Sequence, residues 1–297
     1  MTAVYQRFSF IKEVMVLREK DKPKKHMIAP ENDIPEQDEV TTVSVNKEIG
    51  MLYVMPDNAQ HIGMRDQQQD YFAYSDLFDM NQIVKIGCVA VMADGMGGMQ
   101  NGREAAIAGV DEFLRAYEDE MDKGNPVLES MAKALVRAND EVTVYEGAGA
   151  TLIGAVVKEN NLQWISVGDS HIYLFRNGLL RLLNEEHIYA KELDEMYKEG
   201  KIGKEEAENH PERKALTSYL GLPEITDADF NRHPVPLRMG DMILLCSDGL
   251  YGTLTEEEMA SILSVKGDDL AEQLVRAALL KQRPQQDNVT AVLLKII

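Results

Sequence analysis

Residues 87–98, GCVAVMADGMGG, form an apolar run that ends at Asp94 and passes directly into a glycine-rich turn. The run predicts a buried β-strand over residues 85–93. A carboxylate at the mouth of such a strand costs free energy unless it is hydrogen-bonded, ion-paired or bound to a metal. The glycines after it allow close approach of the backbone to a ligand, and the carbonyl oxygen of Gly95 is a candidate metal ligand. This strand end is therefore a candidate functional site.

Four further aspartates lie at predicted strand ends: Asp248 after MILLCS, Asp169 after WISVG, Asp287 just before the last strand, and Asp70 at the start of an early one. For any Asp-Gly pair taken alone, an ordinary turn is the simpler interpretation. If the five carboxylates converge, however, they repel one another, and a bound divalent cation would offset that repulsion. All-oxygen ligands favour Mg²⁺ or Mn²⁺ over zinc. The pattern predicts a metal centre.

The sequence contains no convincing protein nucleophile. There is no GxSxG motif, and the two cysteines, Cys88 and Cys246, lie inside apolar runs, as expected for buried free thiols in a reducing compartment. HExxH and CxxC motifs are absent, and the glycine run is neither GxGxxG nor a P-loop. These absences favour chemistry by metal-activated water.

Two other side chains are candidates for the same cleft. Arg65 precedes Asp70 by five residues, and its guanidinium suits bidentate binding of a phosphoryl group, although a surface ion pair is an equally simple interpretation. His171 follows Asp169 by two residues, and a structural histidine is the simpler interpretation than an acid catalyst.

The remaining pattern predicts an α+β fold with sheet packed on sheet and helices outside, because strands cluster and helices are paired. Strands are predicted at 50–56, 70–76, 85–93, 149–158, 161–168, 171–176, 178–183, 241–247 and 288–297. Two long helices interrupt them, the second with Asn125 as its candidate cap, and two short helices broken near residues 200–203 follow. Thr255 with the following glutamates predicts another helix start, and Asp268 is predicted to open the last helix.

The bulk composition excludes several classes of protein. The chain has 297 residues, 44% of them hydrophobic, which is enough for a large core. Its formal charge of −19 argues against nucleic acid as a partner. No window of 18 apolar residues and no secretory signal pattern is present, so we expect no membrane span and a cytoplasmic location.

Residues 1–47 differ from the rest and are predicted to be an N-terminal extension or linker. A basic run at 18–26 is followed by an acidic run at 31–39, with Pro30 and Pro35 beside or within it. Charge blocks with proline are typical of a solvated tail. A docking tail for a partner is the alternative.

Seven segments, in this order, resemble the bacterial branch of the PPM (type 2C) protein phosphatases, and the resemblance covers about residues 48–297. They are Gly63 to Asp70 (GMRDQQQD), Ala93 to Gly98 (ADGMGG), Gly149 to Leu152 (GATL), Val167 to Ser170 (VGDS), His210 to Arg213 (HPER) with Leu216-Thr217 and Leu220-Gly221, Ser247 to Leu250 (SDGL), and Asp287 to Thr290 (DNVT).

The resemblance implies a four-layer αββα fold, in which a central antiparallel β-sandwich is flanked by helix pairs. By the same resemblance, Asp94 would bridge two Mn²⁺ or Mg²⁺ ions, with Asp248 and Asp287 completing one site and the Gly95 carbonyl the other. Asp70 would hold water at the metals, and Asp169 with Asp248 would form a third, weaker site. Arg65 would grip the phosphoryl group, and residues 186–215 would form a flap beside the site.

The implied function is metal-dependent hydrolysis of phosphoserine and phosphothreonine in signalling proteins, and the implied partner is a bacterial serine/threonine kinase that the phosphatase opposes. Five positions depart from the family pattern: Gln68 stands for its usual Asn, Gln69 for the commoner Glu, His171 for an arginine, and Ser218-Tyr219 for Arg-Ala. Gln69 lacks a charge that would favour metal binding. A regulatory pseudophosphatase, which binds phosphoprotein without turnover, is the main alternative, and a hydrolase of small phosphoesters is a further one.

Overall fold

The computed structural model describes residues 52–97 and 101–297. The predicted extension at 1–47 and Gly98 of the glycine run lie outside these ranges. The strands are β1 Val54–His61, β2 Asp70–Tyr74, β3 Cys88–Met96, β4 Gly149–Ala150, β5 Leu152–Lys158, β6 Asn161–Val167, β7 His171–Arg176, β8 Leu179–Leu182, β9 Asp229–Phe230, β10 Val235–Pro236, β11 Met242–Cys246 and β12 Val289–Ile296. The helices are α1 Met80–Ile86, α2 Asn101–Asp122, α3 Val127–Val142, α4 Ala190–Lys198, α5 Lys204–Glu208, α6 Asp248–Tyr251, α7 Glu256–Leu263 and α8 Leu270–Leu280.

The strands form two sheets in which every described pairing is antiparallel. One sheet has the order β1-β12-β11-β7-β8, and the other has the order β10-β6-β5-β3-β2, with β4 paired to β3 and β9 to β6. Strands that follow each other in sequence therefore fall in different sheets at several points. This arrangement confirms the α+β class and excludes a βαβ series.

Three apolar layers hold the sheets and helices together. The middle layer lies between the sheets and joins alternate residues such as Met92 and Ile153 to Leu245 and Val292. The opposite face of β3 and β5 packs on α2 and α3, and the outer face of β11 and β12 packs on α7 and α8. Since each sheet buries both faces, the four-layer αββα order is confirmed.

Local capping differs from the prediction in one helix and agrees in another. Asn125 does not cap α3: Pro126 is the N-cap residue, and the Asn125 amide donates instead to Glu120 Oε2 (2.8 Å). The predicted helix start at Thr255 is confirmed, because Thr255 and Glu258 form a reciprocal capping box. The last helix begins one residue later than predicted, after Asp269.

The first strand extends past its predicted end: it spans Val54–His61, against the prediction of 50–56, of which residues 50 and 51 lie outside the described ranges. Its register is set by β12, with Val54 opposite Ile296 and His61 opposite Val289. It is an edge strand with one partner, so polar residues remain in it and the apolar pattern is weak. None of the helices in residues 52–97 and 101–297 is long and apolar enough to cross a membrane.

Candidate metal centre

Five aspartates meet at one end of the sandwich because of where the strands stop. Asp70 begins β2 and stands directly opposite Asp94 of β3 in the antiparallel register. Asp169 follows β6, Asp248 follows β11, and Asp287 precedes β12. The first three belong to one sheet and its connections, and the last two to the other. The cluster therefore spans the seam between the sheets.

The carboxylates influence one another electrostatically. Burial raises the pKa of Asp94 well above its usual range, and four neighbouring charges raise it further: those of Asp70, Asp248, Asp169 and Asp287. Burial, followed by the charges of Asp287 and Asp169, raises the pKa of Asp248 to about 6. Both effects disfavour the ionised forms, so ionising the whole cluster costs free energy unless a positive charge offsets it.

Asp70 has an oxygen that is satisfied and an oxygen that is not. Ser247 Oγ (2.7 Å) and Thr290 Oγ1 (2.6 Å) both donate to Asp70 Oδ2, and these bonds tie one sheet to the other. Asp70 Oδ1 and Asp248 Oδ1 are buried without a hydrogen-bond partner in the described part of the chain. Burial raises the pKa of Asp70, against the lowering effect of its two hydroxyl donors. Buried carboxylate oxygens without partners are what a bound cation would satisfy, so this donor set fits Mg²⁺ or Mn²⁺.

The backbone around Asp94 is held rigidly. The Asp94 N–H donates to Thr151 Oγ1 (2.9 Å), and the Asp94 carbonyl accepts from the Thr151 N–H (2.9 Å). A Cβ added at Gly95 would lie 2.1 Å from the carbonyl oxygen of Gly102 at the start of α2. Glycine is therefore required at position 95 by the close approach of two backbones.

Arg65 lies at the edge of the cluster and forms an ion pair with Asp287. Its Nη2 is 2.5 Å from Asp287 Oδ2, and the Arg65 side chain remains 58% exposed. The hydrogen bond and charge of Asp287 raise the pKa of Arg65. Asp287 Oδ1 also accepts from the Asn288 N–H (2.8 Å).

The five carboxylates lie near one another without converging on a single point. Within residues 52–97 and 101–297, no group of three or more His, Cys, Asp or Glu side chains is positioned to hold a metal. Asp287 illustrates the reason, since one of its oxygens faces Arg65 and the other faces its neighbour's backbone. The carboxylates are close enough to perturb one another but do not share a common centre.

His171 has a structural environment. Its Nδ1 is 2.8 Å from Tyr173 Oη, its Nε2 is 2.7 Å from Glu186 Oε1, and its ring stacks on Tyr251 with 3.6 Å between centroids. The hydrogen bond with His171 lowers the pKa of Glu186. With both nitrogens engaged, this histidine has no free nitrogen for an acid catalyst's role. His171 also holds Glu186 near Asp169. Burial and the Glu186 charge raise the pKa of Asp169. Glu186 was not among the predicted site residues.

The segment 186–215, predicted to be a flap, is an insertion whose two ends meet at this end of the fold. It contains α4 and α5, and its base is an antiparallel bridge between Ile188 and Leu216. The His187 N–H donates to the Gly168 carbonyl (2.9 Å), which attaches the base to the residue before Asp169.

The positions that depart from the resemblance have structural roles. Gln68 Oε1 accepts from the Asp70 N–H (3.2 Å), and the Gln69 side chain lies against Gly102. Ser218 is buried and donates to the Asp227 carbonyl (2.5 Å), and the ring of its neighbour Tyr219 covers Gly149.

Three comparisons place this geometry among known proteins. The family model described as Protein phosphatase 2C matches residues 59–283. The serine/threonine phosphatase stp of Listeria monocytogenes is 31% identical over 216 residues, which make up 70% of this chain and 84% of the relative. The solved serine/threonine phosphatase of S. agalactiae has a TM-score of 0.66 at 25% identity, covering 82% of this chain and 100% of that one.

A further solved structure has the same fold at 24% identity: the catalytic domain of the serine threonine protein phosphatase PstP in complex with two manganese ions. It has a TM-score of 0.64 and covers 83% of this chain and 100% of that one. The family match extends over well more than half of the residues, and its ends enclose Arg65 and the cluster's first four aspartates. From strand-end carboxylates, sandwich fold and family match together, it follows that this chain belongs to the protein phosphatase 2C family.

Proposed function

We propose that the chain is a metal-dependent phosphatase that hydrolyses phosphoserine and phosphothreonine in proteins. The observation that carries the proposal is the meeting of five strand-end aspartates, two of which have a buried oxygen without a partner among the described residues. The name of the 31% identical relative supports the substrate class. The proteins on which it acts would be those modified by a serine/threonine kinase.

The proposed ligands are the carboxylates already described. Asp94 would be shared by two Mn²⁺ or Mg²⁺ ions, Asp248 and Asp287 would serve one of them, and the Gly95 carbonyl the other. Asp169 with Asp248 would make a third, weaker site. Two divalent cations, when bound, lower the pKa of a water between them and offset the negative charge of a phosphoryl group.

Asp70 would act on the attacking water. Ser247 and Thr290 hold its Oδ2, so its orientation is fixed from the opposite sheet. Its Oδ1 has no partner in the described structure and is left to accept a hydrogen bond from the water. A carboxylate held in this way can orient a nucleophile without changing its own rotamer.

Arg65 would bind the phosphoryl oxygens. Asp287 pairs with Arg65 in the described structure, so an Asp287 carboxylate that served a metal would leave the Arg65 guanidinium available to the phosphate. The half-exposed position of Arg65 suits a group that must reach a protein substrate.

The departures at Gln68 and Gln69 leave every carboxylate of the proposed metal centre in place. Neither replaces one of the five clustered carboxylates, and both amides have local partners or packing. We therefore expect turnover.

The test is an assay of the purified full chain on a phosphothreonine peptide, with and without Mn²⁺, beside a calorimetric titration of the metal. Manganese-dependent release of phosphate is expected. Metal binding without turnover would instead support a phosphoprotein-binding module, and turnover confined to small phosphoesters would contradict the proposed substrate class.

A further inference from the structure

The end of the sandwich opposite the carboxylates contains a pocket of about 720 Å³. It is lined by residues from the far ends of four strands: Met55, Phe175, Met242 and Ile296. In β11, Met242 lies at this end, whereas Cys246, next to Ser247, lies at the catalytic end. At about 3.3 Å per residue, the strand separates the two ends by more than about 13 Å. We call this cavity the distal pocket.

The distal pocket combines an apolar rim with unpaired positive charge. Met239 is 76% exposed and Val265 is 52% exposed, and both line it. Arg238 and Lys266 also line it, and neither side chain forms an ion pair or hydrogen bond with another described residue. Large exposed apolar side chains grouped beside cations that have no described partner are typical of a binding surface.

The other charges of the distal pocket are largely compensated. Asp241 is held by Arg176 (2.5 Å), and Lys295 is 3.4 Å from Asp57. Asp268 supplies the remaining side-chain carboxylate of the described lining. Arg238 and Lys266 are therefore the cationic side chains of the lining that have no acidic partner among the described residues, in a protein whose formal charge is −19. An acidic ligand with an apolar centre would match these cations and the apolar rim.

The chain itself carries such a ligand close by. The described structure begins at Leu52, and the next residue, Tyr53, exchanges two backbone hydrogen bonds with Ile297 of the pocket lining (2.9 Å each). Residues 31–39, ENDIPEQDE, contain five acidic residues around Ile34 and Pro35. Twelve residues lie between Glu39 and Leu52, and the thirteen residue-to-residue steps span up to about 45 Å when extended.

We propose that the acidic segment 31–39 of this chain docks in the distal pocket, with its carboxylates toward Arg238 and Lys266 and Ile34 on Met239 and Val265. Attachment through a short tether gives the segment a high effective concentration, so even modest contacts suffice. The N-terminal extension would then be anchored at the end of the molecule remote from the catalytic cluster.

Disulfide trapping in the full chain tests this placement. Ile34→Cys combined with Val265→Cys is expected to form an intrachain disulfide under mild oxidation, seen as a mobility shift on a non-reducing gel. The matched control combines Ile34→Cys with Val144→Cys, because Val144 is 67% exposed and follows α3 near the catalytic end. The native Cys88 and Cys246 are buried and should not compete.

Charge reversal separates specific docking from random collision. Arg238→Glu with Lys266→Glu should lower the trapped fraction by about fivefold, or roughly 1 kcal/mol, whereas Lys198→Glu with Lys204→Glu on the 186–215 segment should leave it unchanged. Equal trapping at positions 265 and 144, no trapping at 265, or no effect of the reversal would overturn the proposal. A dimer-sized product would assign the pocket to a second copy of the chain instead.

Discussion

At the scale of single residues, the cluster consists of buried aspartates that repel one another electrostatically. Asp70 and Asp94 face each other across two hydrogen-bonded strands, and each has a raised pKa. Hydroxyls from Ser247 and Thr290 offset part of that cost for Asp70. The remainder is an unfavourable contribution to folding that a cation would remove.

Asp94→Asn should reduce turnover by more than about 100-fold, because it removes the ligand proposed to be shared by both metals without changing its size. The metal-free variant should also unfold at a higher temperature than the metal-free parent, since a repelling charge is lost. Scanning calorimetry with and without Mn²⁺ measures the unfolding temperature of the metal-bound and the metal-free protein. Retention of a near-normal rate would show that Asp94 is not a ligand.

Arg65→Ala should raise KM by about tenfold or more with a smaller change in kcat, the loss expected for charge-assisted hydrogen bonds to a phosphoryl group. Metal affinity should not fall, because the substitution frees Asp287 from its ion pair. Arg115→Ala, which removes an exposed arginine of α2 paired with Glu112, is the control. An unchanged KM would exclude Arg65 from the site.

At the scale of elements, the ends of strands and the caps of helices are the features that the sequence predicts best. Continuous apolar runs that end at aspartates predicted the central strands, and the clustering of strands beside paired helices predicted the packing of sheet on sheet. The sequence did not identify Ser247 or Thr290 as partners of Asp70, because those contacts depend on how two sheets stack. Helix α1, with seven residues, is too short to show a helical period, and Asp79 Oδ1 caps it locally by accepting from the Asn81 N–H.

Thr255→Ala tests one predicted cap directly. Loss of the capping box with Glu258 should lower the free energy of unfolding by about 1 kcal/mol, measured by denaturant titration. Activity should be unaffected, since α7 packs on the side of the sandwich and not at the cluster. Ser261→Ala, an exposed serine of the same helix, should leave stability unchanged, and an equal effect of both substitutions would argue against the cap.

At the scale of the whole molecule, charge and stability are linked through the cluster. Asp248 titrates in the folded protein with a pKa of about 6, above its ordinary value of 3.8. Between these values the folded state binds more protons than the unfolded state, so folding stability rises as pH falls. Above about pH 6, Asp248 is ionised and its repulsion by the charges of Asp287 and Asp169 is fully present.

The metal-free protein should therefore gain stability through this site between pH 7 and pH 5, whereas metal affinity should decrease over the same interval as protons compete for Asp248. Thermal unfolding and metal titration across this range measure the two trends. Asp248→Asn should flatten the stability trend. A metal-free protein whose site-dependent stability falls over this interval would contradict the raised pKa.

The cluster lies across the seam between the two sheets. Asp94 belongs to one sheet, and Asp248 and Asp287 adjoin strands of the other, so an ion ligated by all three would clamp the two halves of the sandwich together. Separating the sheets would then require releasing the ion, which slows unfolding as well as opposing it. Chelation would loosen the entire domain, and resistance to proteases would depend on the supply of divalent cations.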